Sequence, residues 1–347
     1  MRAVVFAGPG EVSVSSLPEP AAVEPGDALV RVTAAGICGS DLHVLHGRIP
    51  GMTPGSVLGH EFVGVVEATA PGVTRVHAGA RVVGSFLVPC GRCWYCQRRL
   101  YGRCEEQRVF GYGTFFGDLA GAQAEYVRVP NADLALHPLE PQLDDEQALF
   151  AGDIFTTGLE VATEGGIHPG DTVAVIGCGP VGLMAIQAAA TFLPARLLAV
   201  DTVASRLAMA ARFGAEPIDA AAVDVPTAVR ERSGDRGADV VLECVGAIPA
   251  LDTAVDSVRR GGRVSVIGVH TEPRWALGLT VAFVNAVDIK FCGTANVPGR
   301  WDRALELIRD GAADPSAIIS HRLSLQEAVE GYRLFDSRQA LKVVLRP

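Results

Sequence analysis

An apolar run that turns abruptly on three glycines limits this chain more than any other feature. Residues 173–190 read VAVIGCGPVGLMAIQAAA: a strand-like segment, then Gly177-x-Gly179-x-x-Gly182, then apolar residues at helical spacing. In that setting the first glycine permits the tight turn. The second lets a pyrophosphate approach the backbone, and the third lets helix and sheet pack closely. Pro180 and Val181 complete the turn, and the helix N-terminus offers unpaired N–H groups and positive dipole to phosphate. Nineteen residues beyond Gly182 a second strand-like run ends in Asp201 (LLAVD). A carboxylate there accepts from both ribose hydroxyls and repels a 2′-phosphate, which predicts NAD rather than NADP. DTVAVIG, RLLAVD, ADVVLECVG, RVSVIG and DIKFCG alternate with helical stretches. A doubly wound parallel sheet covered on both faces is therefore expected across 154–297.

Residues 1–153 have another texture. Short Val-rich runs (ALVRVTAAG, FVGVVEATA, ARVVGSF) broken by Gly and Pro predict a mostly β domain. Within it CGRCWYCQRRLYGRC spaces Cys90, Cys93, Cys96 and Cys104 as C-x2-C-x2-C-x7-C. Disulfides, a redox C-x-x-C pair, an iron–sulfur cluster and zinc all compete for that pattern. The opening MRAVVFAGPGEV has no basic segment followed by an apolar core, so a cytoplasmic address with reduced thiols is expected. A redox pair leaves two cysteines unexplained, whereas a closed tetrahedral zinc site uses all four. Such a site has no free position for substrate, so it staples a polar lobe and the chemistry lies elsewhere. No run of about 18 apolar residues exists, so no membrane span is expected. Thirty Lys and Arg against 39 Asp and Glu give a net charge of −9, which argues against a nucleic-acid partner.

Three further candidate ligands are scattered. AGICGSDLHVLHG, LGHEFVGVVE and LFAGDIFTTGLEVA contribute Cys38, His60 and Asp153. A thiolate, an imidazole and a carboxylate can hold zinc with a fourth position open, the layout of a catalytic centre. Isolated Cys and His in apolar surroundings are also ordinary core residues, so spacing alone leaves both readings standing.

Together these stretches, the four-cysteine segment and the glycine turn resemble the zinc-containing alcohol dehydrogenases of the medium-chain dehydrogenase/reductase family. The likeness covers essentially the whole chain, in the same order. It implies a catalytic zinc on Cys38, His60 and Asp153 beside the structural zinc, two per chain, with Glu61 close to the catalytic metal. It further implies that Ser40 hydrogen-bonds the alcohol and passes its proton through the nicotinamide ribose to His43, while Asp41 orients the His60 ring. By the same resemblance Arg206 lies beside the adenosine ribose and Lys342 near the pyrophosphate, and Val181, Val245 and Ile267 back the nicotinamide. Gly39 stands where some relatives carry a pyrophosphate-binding arginine, so a looser phosphate grip is expected. His46 matches no role, and Cys178, Cys244 and Cys292 read as inert core thiols.

The implied fold class is α/β: a Rossmann domain at 154–297 interrupting a mostly β, GroES-like catalytic domain formed by 1–153 and 298–347, with its four-cysteine zinc lobe. The implied reaction is NAD-linked interconversion of a secondary, primary or polyol alcohol with its ketone or aldehyde. A zinc-free quinone or enoyl reductase, and a polyol- or formaldehyde-acting branch, are the alternatives. Phe86, Phe110, Phe115, Phe116, Val269 and Trp275 are candidate pocket residues. RVSVIGVH and DIKFCGTANV are expected to pair across a homodimer, with a homotetramer the other candidate assembly.

Overall fold

Along the strand Ala28–Ile37 burial first alternates, with Ala28, Val30 and Val32 inside and Arg31 exposed, as a sheet with one wet face requires. From Ala34 onward burial becomes continuous. Here the strand passes from one apolar cluster, around Phe62 and Val127, into another, around Tyr332 and Val343. The computed structural model, which describes residues 1–21 and 24–347, divides the chain into two compact units. One comprises Met1–Thr156 and Asn296–Pro347, the other Thr157–Ala295. The sequence reading drew these joints at 153/154 and 297/298.

The first unit is built on a seven-stranded sheet. Its order is His321–Ser324, Val343–Arg346, Ala28–Ile37, Glu61–Thr69, Arg81–Gly84 and Leu136–Pro138, with Tyr126–Val129 also paired to Ala28–Ile37. All neighbours except the first pair are antiparallel. Val343 lies opposite Ile37, so the end of the chain returns to the strand that leads into Cys38. Each large apolar side chain buried in this way contributes about 1.5–3 kcal/mol.

The second unit holds six parallel strands in the order Glu216–Asp219, Arg196–Asp201, Thr172–Ile176, Ala238–Glu243, Val258–Val266 and Asp288–Phe291. The central strand Thr172–Ile176 is buried along its whole length, as helices on both faces require. Strand order reverses beside it, which is where a dinucleotide crevice opens in such sheets. Pro180, Pro226 and Pro249 sit in first helical turns, where no backbone N–H is needed. The strand Glu216–Asp219 escaped the sequence reading, because EPID carries no strand signal and only pairing with Leu198–Asp201 makes it one. One expectation is corrected: Val258–Val266, which contains RVSV, is paired on both sides. It presents no edge, and Asp288–Phe291 is the edge strand. Among the described residues no helix is long and apolar enough to cross a membrane.

Candidate functional site

Cys38 follows the strand Ala28–Ile37 and caps the short helix Gly39–Leu45, its backbone N–H donating to Asp41 Oδ2 at 2.9 Å. His60 directly precedes the strand Glu61–Thr69. Asp153 ends the 3-10 turn Phe150–Gly152, which is held by Trp301 Nε1 donating to Ala151 O at 3.1 Å. These three side chains and Glu61 are buried, and their donor atoms all lie within 4.8 Å of one another. Zinc bonds of about 2.0–2.3 Å at tetrahedral angles put neighbouring donors about 3.3–3.8 Å apart. His60 Nε2 lies 3.2 Å from Asp153 Oδ2, and Cys38 Sγ lies 3.7 Å from the same oxygen. The donor set and its spacing therefore fit a zinc ion.

The electrostatics point the same way. Burial, then Glu61 and Asp153, push the Cys38 thiol up. Burial also works against charge on His60, but Asp41 and Asp153 outweigh it and hold the imidazole well above its ordinary range. Asp41 Oδ1 is 3.1 Å from His60 Nδ1, which leaves Nε2 as the ligand nitrogen. Ser40 Oγ is 3.2 Å from that Nε2. His43 is half-buried with an unpartnered Nδ1, and burial, then Arg48 and His46, lower its pKa.

Glu61 fits against the backbone because Gly36 has no Cβ; one there would stand 1.8 Å from Glu61 Oε2. That oxygen accepts from the Lys342 ammonium, while Glu61 Oε1 is buried without a partner. Lys342 itself is corrected: expected at a pyrophosphate, it is completely buried and committed to Glu61. Tyr112, missed in the sequence, is buried and sets its ring edge-on to His60 at 5.6 Å. Phe86 also meets His60 edge-on at 6.3 Å, and half-buried Phe116 packs on Tyr112. Phe110 is core, buried against Phe62, and Trp275 bonds Asp252 while packing on the core of the second unit. Neither is a pocket residue. Phe115 and Val269 are exposed, and His46 pairs with Asp336.

In the four-cysteine segment the sulfurs also lie within 4.8 Å of one another, with Cys90 and Cys96 Sγ 4.0 Å apart. A four-thiolate zinc puts sulfurs about 3.8 Å apart. Backbone N–H groups of Cys90, Cys93 and Glu106 point at the sulfurs of Cys104, Cys90 and Cys104. The backbone donors of Glu105 and Cys96 bring the Cys93 thiol down to about 6. No cysteine is in a disulfide.

In the second unit Gly177 takes φ +90°, and a Cβ there would meet Val245 Cγ2 at 2.5 Å. A Cβ on Gly182 would stand 1.8 Å from Gly177 O, whereas Gly179 has nothing nearer than Arg206 Nη1 at 4.0 Å. The turn is thus closed where it packs and open where a phosphate approaches the start of the helix Pro180–Ala190. Asp201 accepts from Cys178 N at 2.7 Å and Val203 N at 2.9 Å, with Arg206 Nη1 3.7 Å away. Val181 is half-buried, Val245 exposed and Ile267 buried, the last two just beyond neighbouring strand ends. Glu243, another residue not foreseen, is buried and accepts from the N–H groups of Val245 and Gly246. Burial pushes Cys178 up to about 12 and raises Cys244 and Cys292, as inert thiols behave.

A β unit with a mixed sulfur, nitrogen and oxygen cluster, in one chain with a nucleotide-type parallel sheet, defines the class of zinc-binding dehydrogenases. Comparison with known families agrees. Residues 24–140 match the alcohol dehydrogenase GroES-like domain, and residues 180–310 match the zinc-binding dehydrogenase domain. Zinc-type alcohol dehydrogenase B of Aspergillus flavus is 38% identical, over all of this chain and 81% of that protein. The solved alcohol dehydrogenase TADH from Thermus sp. ATN1 is 48% identical with a TM-score of 0.97, covering 100% of this chain and 99% of that one. A zinc-binding dehydrogenase from Sinorhizobium meliloti, solved with NADP, is 30% identical with a TM-score of 0.88, covering 100% and 99%. The chain belongs to the zinc-containing alcohol dehydrogenases of the medium-chain dehydrogenase/reductase family.

Proposed function

We propose that this protein is an NAD-linked alcohol dehydrogenase with two zinc ions per chain. It would interconvert a small alcohol, preferably secondary, with its ketone or aldehyde. The observation that carries the reading is the convergence of Cys38, His60 and Asp153 from three separate segments onto one point. A zinc-free reductase has no use for that set. When bound, zinc supplies the Lewis acid that acidifies a hydroxyl, and the nicotinamide accepts the electron pair. Cys38, His60 and Asp153 hold the ion, and Asp41 keeps the His60 ring oriented. Ser40 stands beside the cluster to accept the substrate proton, and His43 takes it onward by way of the nicotinamide ribose. Glu61, balanced by Lys342, adds a carboxylate that can approach the ion. Cys90, Cys93, Cys96 and Cys104 hold the second zinc and stiffen their lobe.

For the cofactor, Gly177, Gly179, Pro180 and Gly182 cradle the pyrophosphate at the helix start, with Val181, Val245 and Ile267 beside the nicotinamide. Asp201 favours the two free ribose hydroxyls of NAD, and Arg206 flanks the adenosine end. The protein works as a homodimer or homotetramer in a reducing cytoplasm, where its free thiols persist.

The deciding experiment measures metal content and NAD-linked oxidation of primary, secondary and polyol alcohols on the same samples. Cys38→Ala should fall from two zinc ions per chain to one and lose activity by at least about a thousandfold, while still binding NADH. Undiminished turnover would remove the catalytic-zinc assignment. A kcat/KM for NADP equal to that for NAD would remove the role given to Asp201.

A further inference from the structure

We infer that Gln123 and Tyr332 are positioning residues for the metal centre, acting through Asp41 on both Cys38 and His60. This role presupposes the metal centre proposed above. Gln123 is completely buried. Its Nε2 donates to Gly36 O at 2.9 Å and to Asp41 Oδ2 at 3.3 Å, and its Oε1 accepts from the Tyr332 hydroxyl at 2.9 Å. A flipped amide would press its oxygen against a carbonyl and a carboxylate, so these partners fix its orientation.

Asp41, itself buried, is then held through Oδ2. Oδ2 accepts from Gln123 and from Cys38 N, and Oδ1 faces His60 Nδ1. One carboxylate thus ties the backbone of one candidate ligand to the ring of another. Tyr332 enters from the helix Ala328–Asp336, 209 residues beyond Gln123. Its phenol is nearly inaccessible, and in so dry a place a lost partner is not replaced by water. Without Tyr332 the amide of Gln123 loses the partner of its oxygen, its hold on Asp41 loosens, and His60 presents Nε2 at a less closely set angle. Outer partners of metal-bound histidines are commonly worth 10- to 100-fold in metal affinity.

The test compares wild type, Tyr332→Phe and Gln123→Glu. The first removes one hydroxyl; the second keeps the shape but turns a carboxylate toward Asp41. Zinc affinity is measured by competition with a chromophoric chelator, beside the cobalt(II) absorption spectrum and the thermal midpoint of the metal-free protein. At the mixed-ligand site Tyr332→Phe should weaken binding roughly tenfold and Gln123→Glu up to about a hundredfold. Cobalt bands should shift, and the four-thiolate site should keep its affinity. Variants that lose metal-free stability yet keep wild-type zinc affinity and cobalt spectrum would overturn the role, leaving packing alone. If Gln123→Glu fails to fold, Tyr332→Phe decides. Cys38→Ala is the control: should it also retain both zinc ions, the metal-centre reading fails rather than the positioning role.

Discussion

At Lys342 an ammonium with no solvent exposure rests on the Glu61 carboxylate. Burial opposes its charge, but Glu61 and then Cys38 hold its pKa above that of an ordinary lysine. Removing one member of such a pair leaves the other buried and uncompensated, at a cost of about 3–5 kcal/mol. Lys342→Met should therefore lower the urea midpoint by a corresponding amount, and adding Glu61→Gln should recover most of it. A single variant as stable as wild type would show that the pair holds nothing together. The sequence showed Glu61 inside the apolar run LGHEFVGVV, a placement that calls for a counter-charge. The identity of that counter-charge was hidden 281 residues away, just before the last strand, where the resemblance had put the lysine near a pyrophosphate.

Two elements carry predictions of their own. The lobe from Cys90 to Cys104 was legible because all four donors lie within one short loop, where spacing alone sets which sulfurs can meet. Cys93→Ser should release one zinc per chain and lower the thermal midpoint by roughly 5 °C or more, with Michaelis constants little changed; an unaltered midpoint would deny the lobe its stapling role. The helix Asp145–Leu149 was not foreseen as a tether, yet Glu146 meets Arg322 at 2.7 Å and Arg346 at 2.6 Å, from the strands His321–Ser324 and Val343–Arg346. Arg322 chiefly holds the Glu146 carboxyl below its usual range. A depressed carboxylate stabilises the fold fully above its unfolded pKa of about 4.3, and that contribution fades as pH falls through the folded value. Both arginines are about half exposed, so Glu146→Gln should cost only about 1 kcal/mol at pH 7. The gap in thermal midpoint should narrow in high salt and shrink as pH falls below about 4.3; a gap unmoved by both salt and acid would exclude the ion-pair account.

For the whole molecule, the second unit leaves Leu279, Val281, Phe283, Val284 and Phe291 exposed, Phe283 by 86%. Five large apolar residues within thirteen positions, ending in the edge strand Asp288–Phe291, suit a subunit interface better than open water. Phe283→Glu should lower the mass found by sedimentation at unchanged zinc content; an unchanged mass would move the interface elsewhere. By itself the sequence determined whatever a few neighbouring residues can enforce. The turn through Gly177 and Gly182, the sulfur spacing of the lobe and the strand–helix alternation all follow from local sterics and short loop closure. Tertiary structure alone decided which buried polar groups meet. Lys342 neutralises Glu61, and Tyr332 anchors Gln123 beneath Asp41, because packing brings distant segments together and most polar groups it buries find their partners among them.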